Sequence, residues 1–169
     1  MSRSADGVNV DKKEPGSADG VIDVHINDEQ QHITLDHEVV TAVVRAIVAD
    51  AGYTQAEIGI AVVDDERIAQ LHGEYLDDPT PTDTMSWVLE ADGDRLEGEV
   101  VASAETAAGR APEFNQPAER ELLLYIIHGT LHLVGYDDRQ PESRATMQEQ
   151  EQRYLEQVSD EQTRKRTNP

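Results

Sequence analysis

The residues of this chain with the clearest chemical potential are His128 and His132, four positions apart. On a helix that spacing stacks both imidazoles on one face, pointing the same way. Such a helix is predicted from Ala118 to Val134, apolar nearly all round in its second half (Leu122 to Ile127, Leu131, Leu133) and therefore buried. Gly135 ends it, because a residue without a Cβ takes the left-handed conformation that a helix C-terminus favours. The chain can then fold back and offer Asp137 or Asp138 as a third ligand. Two imidazoles and a carboxylate suit a hydrolytic zinc site, in which three protein ligands leave one position for water. A metal so held lowers the pKa of its water from about 15.7 to about 7 and polarises a phosphoryl oxygen, the two effects phosphodiester hydrolysis needs. Zinc proteases with H-E-x-x-H place a glutamate beside the first histidine. Here that position is Gly129, so peptide hydrolysis lacks its base. If a general base exists, Glu105 or Asp137 is the candidate, although Asp137 equally suits a turn or an orienting hydrogen bond. His25, His32, His37 and His72 have no partner at ligand spacing and are expected at the surface.

The elements that must position these groups belong to one domain. A length of 169 residues suits a single core with tails. Residues 1–19 are rich in Gly, Ser, Asp and Lys and are expected to be disordered. The domain is expected over 20–158, and residues 159–169 are read as a polar tail. Cysteine is absent, which excludes disulfides, thiol nucleophiles and thiolate metal sites. No run of 18 apolar residues occurs, and the N-terminus is polar and charged, so the expectation is a cytoplasmic protein without membrane attachment. Acidic residues number 35 against 14 Lys and Arg, giving a formal charge of −21. A field of that sign repels phosphate, so RNA binding would rest on local arginines such as Arg45, Arg67, Arg110, Arg120 and Arg139.

Period-two patterning predicts strands at Val21–Ile26, Ile58–Val63, Met85–Glu90 and Glu99–Ala102. Helices are predicted from Leu35 to Ala51, from about Glu66 to Tyr75 with Asp64 or Asp65 as cap, and from Pro141 to about Val158. A short helix begins at Ala104, and Gly109 to Pro117 is read as a loop. Thr82, Asp83 and Ser86 are candidates to line the cleft. The Glu-rich stretch 149–161 is read as a solvated helical face. This order gives an α+β class: a small mixed sheet of about four strands, with helices packed on it and a central buried helix bearing the metal ligands.

The stretch His128-Gly-Thr-Leu-His-Leu-Val-Gly-Tyr-Asp-Asp138 resembles the signature H-G-x-L-H-L-x-G-Y-D-H of the YbeY-type endoribonucleases. Pro81-Thr-Asp-Thr-Met-Ser-Trp87 and Leu96-Glu-Gly-Glu-Val-Val-Ala-Ser-Ala-Glu-Thr-Ala107 resemble two further family segments, in the same order. The resemblance implies one zinc ion per chain on His128, His132 and Asp138. It implies a cytoplasmic, single-strand-specific endoribonuclease of 16S rRNA 3′-end maturation and ribosome quality control. The partners implied are ribosomal RNA and the small ribosomal subunit or its proteins, with neither membrane nor DNA. Two positions depart from the pattern. Asp138 stands for the third histidine, and Leu76, with Asp78 following, stands where the family has a functionally important arginine. Those departures keep open a second reading, a ribosome assembly factor that retains the metal site and has lost cleavage.

Overall fold

The computed structural model describes residues 20–76 and 83–167. The expected N-terminal tail, Asp78 and Thr82 lie outside them. The described elements are β1 (Ile22–Asp28), α1 (His37–Asp50), β2 (Gln55–Val63), α2 (Asp65–Leu76), β3 (Thr84–Asp92), β4 (Arg95–Ser103), α3 (Ala104–Arg110), a 3-10 turn (Ala111–Phe114), α4 (Ala118–Leu133) and α5 (Pro141–Thr167).

The strands form one mixed sheet in the order β1-β2-β4-β3. The β1–β2 and β2–β4 pairs are parallel, with Val24 opposite Ile58 and Ile60 opposite Val100, while β3 and β4 form an antiparallel hairpin. A parallel pair needs a crossover, and α1 supplies it between β1 and β2. Its start is fixed by Asp36, whose carboxylate accepts from the amides of Glu38 and Val39. Its apolar stripe of Val40, Val43, Val44, Ile47 and Val48 is fully buried.

Strand alternation divides the core in two. Ile58, Ile60, Val62, Leu96, Val100 and Ala102 face the main cluster with α1, α4 and α5. Val63, Met85 and Val101 face the other side, where Ile68 of α2 packs on them. The sheet is thus covered on both faces, and the expected α+β architecture is the one observed.

α4 lies at the centre of the larger layer, touching α1, α3, α5, β3 and β4. Gly129 sets how closely it approaches the sheet. A Cβ there would come within 2.6 Å of Val100 Cγ1 and 3.2 Å of Thr84 Oγ1. Any side chain there must displace Val100, so a glutamate at the metalloprotease position is disfavoured sterically as well as missing from the sequence.

Several boundaries differ from the expectations, β1 running on to Asp28 and β2 beginning at Gln55. α3 and the 3-10 turn take up most of the predicted loop 109–117, leaving Asn115 with a positive φ of 54° to reverse the chain. α5 continues past Val158 to Thr167, so the supposed polar tail is helical over 159–167. Glu161 pairs with Arg164 one turn on, and Arg164, Lys165 and Arg166 oppose the helix dipole at its C-terminus, which favours that extension. β3 and β4 are also longer than predicted, closing on a turn at Gly93 with φ +59°. No helix among the described residues is long and apolar enough to cross a membrane.

Candidate metal centre

The end of α4 is built to aim two imidazoles. Gly135, at φ +111°, donates its amide to the His132 carbonyl, and the Tyr136 amide donates to that of Leu131. This paired closure of a helix by a left-handed glycine turns the chain back on itself. The turn brings the Tyr136 carbonyl to 3.0 Å from His132 Nδ1. On the neighbouring imidazole, His128 Nδ1 lies 2.5 Å from Glu151 Oε2 of α5. A carbonyl and a carboxylate both accept, so a proton on each Nδ1 satisfies these two bonds when the rings are neutral. Both Nε2 atoms are then left as lone pairs.

Those lone pairs face one another at 3.1 Å. Asp138 Oδ2 is 3.6 Å from His128 Nε2 and 3.9 Å from His132 Nε2. These three atoms lie within 4.8 Å of one another and could together hold a cation; without one, a proton on either ring satisfies the 3.1 Å contact between the two Nε2 atoms. Tetrahedral zinc with bonds of about 2.0–2.1 Å separates its ligand atoms by about 3.3 Å. The residues therefore fit a divalent ion. Burial disfavours a charged His128, yet the hydrogen bond and charge of Glu151, with Asp138 and Asp83 adding, raise its pKa above 6.5. The electrostatics of the pocket favour positive charge.

The two imidazoles open on a cleft of about 420 Å³, lined also by Asp83, Thr84, Ser86, Trp87, Val88 and Leu133. Asp83 and Ser86 thus lie where the sequence led one to look. Asp83 is held by Arg110, whose Nη1 lies 3.3 Å from Asp83 Oδ2, which makes Arg110 the arginine tied to the cleft wall. Arg45 donates to the Ile22 carbonyl, Arg67 to Gln70 and Arg120 to Ser159. A larger groove, about 560 Å³, runs between α1 and α5 on Val39, Ala42, Val43 and Val158, and contains no such cluster of ligand atoms.

Neither Glu105 nor Asp137 lines the cleft. Glu105 Oε1 accepts from the Asp65 amide at 3.0 Å, at the first turn of α2. Asp137 Oδ1 accepts from Ser143 Oγ at 2.8 Å and from the Arg139 amide at 3.2 Å, and these bonds hold its pKa below the usual carboxylate value. Glu105 thus bridges from α3 to the start of α2, while Asp137 serves the turn it sits in. His25, His32 and His37 are exposed, as expected, while His72 is half-buried on α2.

The sequence reading overlooked Glu151, placing it on a solvated face. Its side chain is only 15% exposed. The signal was present: with Met147, Tyr154 and Leu155 it falls on the one stripe of α5 that is buried, where an acidic residue needs a partner.

An α+β domain whose most buried helix ends in a metal-competent His-His-Asp cluster, open to a cleft, defines the class of this protein. The family described as Endoribonuclease YbeY matches residues 25–159. The chain is 36% identical over 129 residues to Endoribonuclease YbeY of Salinibacter ruber, covering 72% of this chain and 82% of that protein. It is 43% identical over 108 residues to the protein of the same name from Rhodopirellula baltica, a match spanning 63% of this chain and 56% of that longer relative. Its fold is similar to the solution structure of TM1509 from Thermotoga maritima, with a TM-score of 0.60 and 26% identity over 86% of this chain and 93% of that one. The chain belongs to the YbeY family.

Proposed function

We propose that this protein is a metal-dependent endoribonuclease that hydrolyses single-stranded RNA, acting in the cytoplasm on the 3′ end of 16S rRNA and in ribosome quality control. The relatives' name, Endoribonuclease YbeY, supports the reaction class. The observation that carries the reading is the convergence of His128 Nε2, His132 Nε2 and Asp138 Oδ2 within 4.8 Å of one another. Zinc is the ion we assign, one per chain, on those three residues. Held there, it supplies a polarised phosphoryl oxygen and a more acidic water.

The chain's own residues do the rest. Both imidazoles are fixed in rotamer and tautomer by Tyr136 and Glu151, so no reorganisation is needed when substrate arrives. Asp138 replaces a neutral imidazole with a charged oxygen, which leaves less net charge on the ion and a less acidic water than three histidines would. The absence of a side chain at Gly129 deprives the protease alternative of its base.

Two departures from the family pattern, Asp138 and Leu76, favour the second reading of an assembly factor without cleavage. One experiment separates the two. Purified protein is assayed for metal content and for cleavage of a single-stranded RNA carrying the 16S 3′ sequence, beside the same sequence in duplex. The proposal expects about one equivalent of metal per chain and cleavage confined to the single strand. Metal-loaded protein that never cuts, and that gains cleavage when Asp138→His and Leu76→Arg are combined, would establish the second reading.

A further inference from the structure

α5 is the most polar of the described helices, yet it touches the candidate metal centre at three places. Ser143 Oγ donates to Asp137 Oδ1 at 2.8 Å, and Arg144 Nε donates to the Asp138 carbonyl at 3.3 Å. Two turns further on, Glu151 Oε2 meets His128 Nδ1 at 2.5 Å. The first two contacts hold the loop that presents Asp138, and the third sets the imidazole that Asp138 faces. None of the three touches the cleft.

We propose that Glu151 is a positioning residue of the metal centre, and that α5 is the element which sets its affinity. The inference rests on the metal reading above, but not on cleavage. Glu151 is half-buried on the same stripe of α5 as Met147, Tyr154 and Leu155, where an ionised carboxylate is costly unless paired, and its partner here is the His128 ring N–H. Taking that proton on Nδ1 does two things. It leaves the Nε2 lone pair directed at His132 Nε2 and Asp138, and it makes the imidazole a stronger base toward a cation. A neutral carboxamide of the same shape would keep the hydrogen bond and lose the charge. That difference separates positioning from mere packing.

The test uses the full chain stripped of metal and titrated with zinc alone in competition with a chromogenic chelator. Glu151→Gln should bind zinc about tenfold more weakly, and Glu151→Ala up to about a hundredfold, the range seen when such outer partners of a ligating histidine are removed. The proton spectrum gives a second readout. The Nδ1–H of His128 in the zinc-loaded wild type should resonate far downfield, as expected for a short bond to a carboxylate, and move upfield in Glu151→Gln. Glu151→Gln is isosteric and should keep the fold, so it decides the matter if the alanine variant does not fold. A Glu151→Gln protein with wild-type zinc affinity and an unmoved ring N–H would overturn the inference. Failure of wild-type protein to cleave RNA, with these zinc shifts intact, would count against the proposed enzyme alone.

Discussion

Helices α4 and α5 meet at one site and could hardly differ more. α4 is buried along most of its length, with Leu122, Ile126, Ile127 and Leu131 fully enclosed, and its glycine lies against the sheet. α5 keeps only Met147, Tyr154 and Leu155 buried and, Glu151 apart, turns most of its charged residues to solvent. The first supplies the imidazoles, and the second, together with the Gly135 turn, aims them. What the difference teaches is that donor and aim have separate physical origins: one held by packing, the other by a few hydrogen bonds from an exposed helix.

The comparison can be broken most severely on α4. His128→Ala or His132→Ala removes a donor and should take metal content from about one equivalent per chain to near none, measured by elemental analysis of dialysed protein, with RNA cleavage lost in parallel. Gly129→Ala leaves both donors in place but drives a methyl into Val100. Overpacking of this kind costs about 1–3 kcal/mol, to be read from denaturant unfolding of the metal-free protein.

Milder changes sharpen the contrast. Gly135→Ala forces a Cβ into a backbone at φ +111° and should cost about 1 kcal/mol. Because the same turn delivers the Tyr136 carbonyl, zinc affinity should fall along with stability. Tyr154→Phe deletes the 2.6 Å bond from its hydroxyl to Asp50 Oδ2, which ties α5 to α1. A loss of about 0.5–1.5 kcal/mol is expected, with metal affinity unchanged because the hydroxyl bonds Asp50 and neither Glu151 nor His128. Glu149→Gln, exposed on the same helix, should alter neither stability nor zinc binding, in contrast with Glu151→Gln.

Much of this was legible in the sequence, for reasons that follow from spacing. The four-residue interval of the histidines and the glycine after Val134 are local signals, and local signals survive without knowledge of the fold. The same holds for α1, whose valines and Ile47 repeat at the helical period, and for the strands of β2 and β4. Glu151 was not legible in the same way. It meets His128 from 23 residues away, and in a helix of so many acidic residues only its place on the buried stripe distinguishes it. The extent of α5 was missed because composition alone made 159–167 look like a tail, whereas its Glu161–Arg164 pair and terminal cations suit a helix. Glu105 illustrates the converse. A carboxylate just after a strand looks available for chemistry until the adjacent start of α2 is seen to engage it.

The central claim is tested most directly by a structure of the zinc-loaded protein with diffraction recorded at the metal edge. The account predicts one anomalous peak, bonded to Nε2 of His128, Nε2 of His132 and a carboxylate oxygen of Asp138 at about 2.0–2.2 Å, with a further position facing the cleft of Asp83 and Ser86. A peak elsewhere, or one at which Asp138 stands beyond bonding distance while another residue takes its place, would contradict it.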